Sequence, residues 1–249
     1  MDRIIDIHNH SLPSVDDGAR DLTEAIQNIE YLKDKNITDI VFTSHYICDT
    51  DYVSDVSERK EILEKLKLHY KVQNINLYLG NEVYICDSDK LLELLKEEKI
   101  TTLNGSRYLL IEFPLHQSFH HIDSMLCELN DKGIVPIIAH PERYRTFQKD
   151  YKKILELLEY DCLLQCNLGS ISGQYGSKAK KYMKWLLKHD LVSFISTDFH
   201  HIPSKDTFNK SLKKLSRIVS KEKKDELLYK NPKCVLENTK INLNNYTVL

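Results

Sequence analysis

The segment Arg3-Ile4-Ile5-Asp6-Ile7-His8-Asn9-His10 decides how the rest of the chain is read. Its first five residues form a mainly apolar run, and they lead directly into two histidines spaced two apart. On an extended backbone, residues i and i+2 point to the same side. A strand that delivers paired imidazoles at its C-terminal end is the kind of unit from which sites on α/β barrels are assembled.

The same pattern recurs downstream. Further strand candidates are Asp39–Thr43, Asn76–Leu79, Tyr108–Ile111, Ile134–Ile138, Cys162–Gln165 and Leu191–Ser196, after the first at Arg3–Ile7. Amphipathic stretches at 21–35, 57–71, 88–98, 118–132, 148–159 and 175–189 separate them, with apolar residues at helical spacing. In the stretch 57–71, for example, Ile62, Leu63, Leu66 and Tyr70 form one stripe among Lys and Glu. Regular alternation of strand and helix argues for a parallel sheet of βα units. Seven strands in succession point to a closed or nearly closed barrel more than to an open sheet. The expected fold class is therefore α/β, a TIM-like (β/α)7 barrel. Without repeats or linkers, 249 residues fit one domain spanning 1–249, with 204–249 as terminal helices and an Asn-rich tail.

Six of the strand candidates end in groups able to bind a metal. These are His8 and His10, His45, Glu82, Glu112, His140 in His140-Pro141-Glu142-Arg143, and Asp198 with His200 in Asp198-Phe199-His200. A lone histidine near a strand end is more often a hydrogen-bonded structural residue, and a lone Glu is nearly always solvated. Six such groups at the same end of successive strands meet at one barrel face, where active sites sit. His69 and His189 fall on helical stretches and read as surface residues, whereas His116, His120, His121 and His201 lie in loops nearer the proposed mouth.

Composition narrows the chemistry. The formal net charge of −2 gives no footprint for nucleic acid, which asks for a basic face. No apolar run approaches the roughly 18 residues of a membrane span, and the start shows no signal-peptide pattern, so a cytoplasmic location is expected. The cysteines at 48, 86, 127, 162, 166 and 234 form no CxxC pair and read as free thiols. None begins a C-x5-R loop, which removes a cysteine-nucleophile phosphatase. Arginine is scarce, seven in all, so Arg143 inside a motif reads as functional.

These residues resemble the polymerase-and-histidinol-phosphatase (PHP) metallophosphoesterases. Within that family they look like the bacterial manganese-dependent protein-tyrosine phosphatases found beside capsule and exopolysaccharide genes. The motifs are D-I-H-N-H-S-L-P-S-V-D-D-G-A at 6–19, N-E-V at 81–83, L-I-E-F-P at 110–114, A-H-P-E-R-Y at 139–144, Q-C-N-L-G-S-I-S-G-Q-Y-G at 165–176 and T-D-F-H at 197–200. The resemblance spans about residues 4–240 and implies a distorted barrel, the PHP fold, with three divalent metals. It implies that His8, His10, Glu82 and Asp198 hold one metal, and that Glu82 bridges to a second completed by Glu112 and His140. Asp17, with Asp16 as the neighbouring alternative, would hold the third together with His45 and His200. Arg143 would bind the substrate phosphate.

Two departures from the family pattern are visible. Lys205 stands where a second phosphate-facing arginine is usual, and it lacks the bidentate fork. The block after the second strand reads T-S-H-Y where T-P-H is usual.

The expected activity is hydrolysis of phosphotyrosine on a protein, such as a tyrosine kinase of capsule or exopolysaccharide export, by a metal-bridging hydroxide. Mixed His and carboxylate ligands suit Mn, Fe or Zn, and manganese follows from the resemblance alone. His120, His121 and His201 are candidates for a general acid. A histidinol-phosphate-type small-molecule phosphatase is the rival enzyme, and a non-catalytic metal-binding module is the rival outside enzymology.

Overall fold

The computed structural model describes residues 3–85, 91–115 and 122–241. Its strands are β1 (Ile4–Asn9), β2 (Ile37–Tyr46), β3 (Asn76–Tyr84), β4 (Tyr108–Glu112), β5 (Val135–Ala139), β6 (Leu163–Asn167) and β7 (Phe194–Ser196). The helices between them are α1 (Leu22–Asp34), α2 (Val56–Lys67), α3 (Leu91–Lys96), α4 (Ile122–Asp131), α5 (Arg145–Lys149), α6 (Lys153–Leu158) and α7 (Gly176–Lys188). After β7 come α8 (Phe208–Leu215), α9 (Lys221–Asp225), a π-helical turn Glu226–Lys230 and α10 (Asn231–Leu236).

All seven strands are parallel and lie in chain order, β1 to β7. The sheet curls until its ends meet. The Asp198 amide donates to the His8 carbonyl at 2.9 Å, and the His10 amide to the Phe199 carbonyl at 2.8 Å. The buried Asp6 carboxylate accepts from the Thr197 amide at 2.8 Å and its hydroxyl at 2.5 Å. The expected (β/α)7 barrel is thus what forms, nearly closed along a β1/β7 seam.

Alternation along the strands sorts the residues. Ile4, Ile40, Phe42, Leu109, Ile111, Ile138, Leu164 and Cys166 face the helices and join the larger apolar cluster. Ile5, Ile7, Val41, Tyr108, Leu110, Ile137, Ala139, Leu163 and Phe194 fill the barrel interior, with Val235 of α10 among them. On several strands the inward series becomes polar as it approaches the C-terminal end: Tyr108, Leu110, Glu112 on β4, and Leu163, Gln165, Asn167 on β6. An apolar floor therefore carries a polar upper layer.

Several boundaries differ from those expected. β2 and β3 pair in register from Asp39↔Asn76 to Tyr46↔Val83, so His45 and Glu82 sit within the ladder and face each other. Their polar ends conceal this in the sequence. The stretch 148–159 is two helices, because Asp150 is extended (φ −137°) and its side chain accepts from the Lys152 amide at 3.2 Å. An Asp side chain that bonds the backbone two residues on competes with helix. The helix expected over 57–71 stops at Lys67, and residues Tyr70–Val72 form a separate 3-10 turn. β7 starts at Phe194, since Leu191 is spent closing α7 through its amide to the Leu186 carbonyl, 3.1 Å.

Candidate metal centre at the barrel mouth

β1 does not run in strict register with β2. Asp6 pairs with Ile40 and Asn9 with Phe42, three residues against two. Such a bulge re-aims side chains. Without it His8 would alternate with the inward Ile7 and point to the helices; with it, His8 Nδ1 lies 2.8 Å from Gln165 Oε1 across the barrel.

Glu82, fully buried, is the centre of the cluster. Its Oε2 lies 3.1 Å from His8 Nε2, 3.3 Å from His10 Nε2 and 3.2 Å from His45 Nδ1, and its Oε1 lies 2.9 Å from His140 Nε2. Asp198 Oδ1 approaches the same two nitrogens, 3.4 Å from His8 and 3.5 Å from His10. Glu112 reaches His140 Nε2 at 3.6 Å. At the outer edge Asp17 Oδ1 is 3.3 Å from His200 Nε2 and 3.6 Å from His45 Nε2. Three sets have donor atoms all within 4.8 Å of one another: His8, His10, Glu82 and Asp198; His45, Glu82 and Glu112; His10, Asp17, His45 and His200. All nine of the residues named as ligands from the sequence therefore meet at one place.

Asp16 is placed differently from Asp17. Its Oδ2 lies 2.8 Å from His10 Nδ1 and accepts from the His45 amide at 3.0 Å, while Oδ1 accepts from the Gly18 amide at 3.0 Å. It sits behind His10, and Asp17 faces the cluster. Gly18 is required here: a Cβ on it would lie 1.7 Å from the His10 carbonyl oxygen. Two other members stand on left-handed backbone, His140 at φ 33° and Asp198 at φ 53°. Each turns the chain sharply at the end of its strand, a strain of about 1–3 kcal/mol that concentrates at functional sites.

The donor set fits divalent cations. Buried His8 Nε2, His10 Nε2, His45 Nδ1 and Glu82 Oε2 have no hydrogen-bond partner, although they converge. Unpartnered buried polar atoms are costly, and a cation among them would satisfy all four. The electrostatics agree. Burial opposes a charge on His8, yet Glu82 and Asp198 push its pKa up to about 9. Burial and then the Glu82 charge push Glu112 up to about 9. Protons held at these two positions are the charge that a bound metal would displace. Burial, then Arg143, holds His140 down at about 4, which leaves a neutral imidazole, the form that ligates.

A family model described as capsular polysaccharide synthesis, CpsB/CapC, matches residues 4–237. The chain belongs to the CpsB/CapC family. It is 34% identical over 240 residues to CapC of Staphylococcus aureus, covering 96% of this chain and 93% of that one. It is 29% identical over 244 residues to the tyrosine-protein phosphatase CpsB of Streptococcus agalactiae, covering 94% and 99%. Among solved structures it superposes with TM-score 0.83 and 26% identity, over 96% of both chains, on one of a pair comprising YwqE of Bacillus subtilis and CpsB of Streptococcus pneumoniae, described as unique metal-dependent tyrosine phosphatases. The resemblance read from the motifs is thus borne out at the level of family and fold.

The substrate-facing residues of this CpsB/CapC chain are arranged less uniformly than the cluster. Arg143 follows His140 in a 3-10 turn, and its Nη1 donates to Asp198 Oδ2 at 3.0 Å while its guanidinium lies 4.6 Å from the Tyr175 ring centroid. Its neighbour Glu142 turns inward instead, accepting from the Asn167 amide at 2.8 Å and the Ser170 hydroxyl at 2.7 Å. Lys205 is exposed and is not among the residues lining the cavity of about 250 Å3 beside Asp198 and His200. His201 lines that cavity, with Nδ1 3.0 Å from Glu24. His116, His120 and His121 lie outside the described residues.

Sequence reasoning assigned no role to several supports. Asn167 donates to Asp198 Oδ2 at 2.6 Å, Gln165 holds His8, and Arg59, wholly buried, donates to the Gly80 carbonyl and the Asn81 side chain at 2.7 Å each. The signal for Gln165 and Asn167 was there, as polar residues at inward positions of an otherwise apolar strand. Nothing in the α2 sequence marks Arg59 except the scarcity of arginine.

Proposed function

We propose that this chain is a metal-dependent protein-tyrosine phosphatase. The observation that carries the reading is the convergence of buried, unpartnered His8 Nε2, His10 Nε2 and Glu82 Oε2 beside Asp198. Family membership supports it, with relatives of near-equal length named tyrosine-protein phosphatases.

In this reading His8, His10, Glu82 and Asp198 hold one cation, Glu82, Glu112 and His140 a second, and Asp17, His45 and His200 a third, with manganese as the native metal. Cations there supply a water of lowered pKa as nucleophile and neutralise the phosphoryl oxygens. The protein's own groups do the rest. Gln165 and Asp16 fix the ring orientations of His8 and His10. Arg143 binds the phosphoryl oxygens through the guanidinium nitrogens not engaged with Asp198, a charge-assisted clamp. Asn167 donates to the same Asp198 oxygen as Arg143 and helps to keep that carboxylate in place. Lys205 is an outer contact for the phosphate, reached by its flexible stem. A phenolate leaves readily, with a pKa of about 10, so protonation of the leaving group is less demanding than for an alkyl ester.

The substrate is a phosphotyrosine protein, a tyrosine kinase of capsule or exopolysaccharide export, met in the cytoplasm. Among the described residues no helix is long and apolar enough to cross a membrane. The deciding experiment compares kcat/KM for a phosphotyrosine peptide and for histidinol phosphate, after chelation and re-addition of Mn, Fe or Zn. The peptide should be preferred and Mn should restore most activity. Preference for histidinol phosphate would overturn the substrate, and no turnover with any metal would overturn the enzyme.

A further inference from the structure

A groove of about 500 Å3 lies next to the centre, lined by Arg145, Gln148 and Lys149 of α5 and by Tyr175, Ser177 and Lys178 at the start of α7. Its three cations are exposed, and among the described residues none pairs with a carboxylate. Elsewhere the surface pairs many of its lysines: Lys35 with Asp206, Lys71 with Glu30, Lys99 with Asp55, Lys223 with Asp190. Among the described residues no acid lines the groove, although the chain as a whole carries net charge −2.

The groove is continuous with the centre through one aromatic ring. Tyr175 lines both this groove and the cavity beside Asp198 and His200. Arg143 stacks on that ring at 4.6 Å and donates to Asp198 at 3.0 Å. Arg143 and Arg145 flank Tyr144, whose fully buried side chain fixes the segment between them. One arginine is thereby turned to the cluster and the next to the groove.

We infer that the groove binds carboxylate side chains flanking the phosphotyrosine of a polypeptide substrate, an inference that rests on the phosphatase reading above. With the phosphate at Arg143, an extended chain advances about 3.3 Å per residue, so positions within a few residues of the phosphotyrosine reach Arg145, Lys149 and Lys178. Cations without partners attract acidic residues, and the attraction is screened by salt. The groove thus distinguishes a protein substrate from a small phosphate ester, which is too short to reach it.

The test uses the full chain loaded with Mn and two phosphotyrosine peptides identical except for Glu or Ala at the flanking positions. Binding is read by fluorescence anisotropy and turnover as kcat/KM. The Glu peptide should bind and react about tenfold better, the order expected of two or three exposed ion pairs, and the advantage should shrink in high salt. In the R145E/K149E/K178E variant the ratio between the two peptides should fall to one or invert. Because it is a ratio within one preparation, partial loss of fold cancels. Equal binding of both peptides by the wild type, or an unchanged ratio in the variant, would overturn the inference. Wild-type failure on p-nitrophenyl phosphate would instead sink the phosphatase reading, with the anisotropy ratio still deciding the groove.

Discussion

Asp16 stands directly behind His10, with its Oδ2 2.8 Å from the imidazole Nδ1 and the opposite ring nitrogen turned to Glu82 at 3.3 Å. A carboxylate in that place fixes the ring so that Nε2 would be the nitrogen presented to a cation. Adjacent aspartates therefore have separate tasks. Asp17→Ala should remove one equivalent of metal outright. Asp16→Ala should retain the ligand set but weaken metal binding by about 10–100-fold, the usual effect of losing such an orienting partner. Metal titrations of the two variants check this, and identical isotherms would refute the division.

Glu82 touches four histidines, so its loss should be felt at more than one site. Glu82→Gln should bind at least two fewer equivalents of metal than the wild type, as read by elemental analysis after desalting. A loss of one equivalent or none would remove Glu82 from its bridging role.

Arg143 donates to Asp198, but Asn167 holds the same oxygen at 2.6 Å. Arg143→Ala should accordingly keep its metals. It should lose about 2–4 kcal/mol of transition-state stabilisation, as on removal of one preorganised donor, and Arg143→Lys should recover part of it. Measuring kcat/KM and Tm together separates the roles, because a purely structural arginine would lower Tm and spare kcat/KM.

Gly18 packs against the His10 backbone. Gly18→Ala brings a methyl into the His10 carbonyl, and the loop cannot yield without moving Asp16, whose carboxylate accepts from the Gly18 amide. Overpacking of this kind costs about 1–3 kcal/mol. For a domain of this size that is several degrees of Tm. Metal affinity should fall with it, and an unchanged Tm would contradict the packing.

Chelation should abolish activity and thiol alkylation should spare it. Burial pushes Cys162 up to about 12, and burial together with Glu142 holds Cys166 well above the usual thiol range, so neither presents a thiolate at neutral pH. Assay after iodoacetamide, with fold checked by circular dichroism, is the measurement. Inactivation of the folded, metallated protein would require a cysteine in the chemistry.

The barrel was legible because its strands alternate with amphipathic helices, and the site because His8, His10, His45, His140 and His200 occur at strand ends in a chain with few other reasons to place them there. What stayed hidden depends on register. The bulge between Asp6 and Asn9 that swings His8 into the barrel leaves no mark in the sequence, and the β2/β3 ladder extends through polar residues that resemble a loop. The Asp16 and Asp17 roles differ only in which side of His10 each occupies, a matter of loop geometry set by Gly18. Arg59 was unreadable because a buried guanidinium under β3 looks, in sequence, like any solvated arginine on a helix.

The seam between β1 and β7 has a consequence for biogenesis. His8 and His10 emerge from the ribosome early, but the Asp198 amide and the Phe199 carbonyl that lock their backbone are made almost two hundred residues later. A nascent chain can therefore present its first two imidazoles for most of synthesis without a complete pocket, exposed to whatever metal is at hand. Only when the last strand docks do Asp198 and His200 join them. In the phosphatase reading, the two candidate sites that draw on Asp198 or His200 would be complete only once the barrel closes, and a truncated or stalled chain would carry their histidines without them.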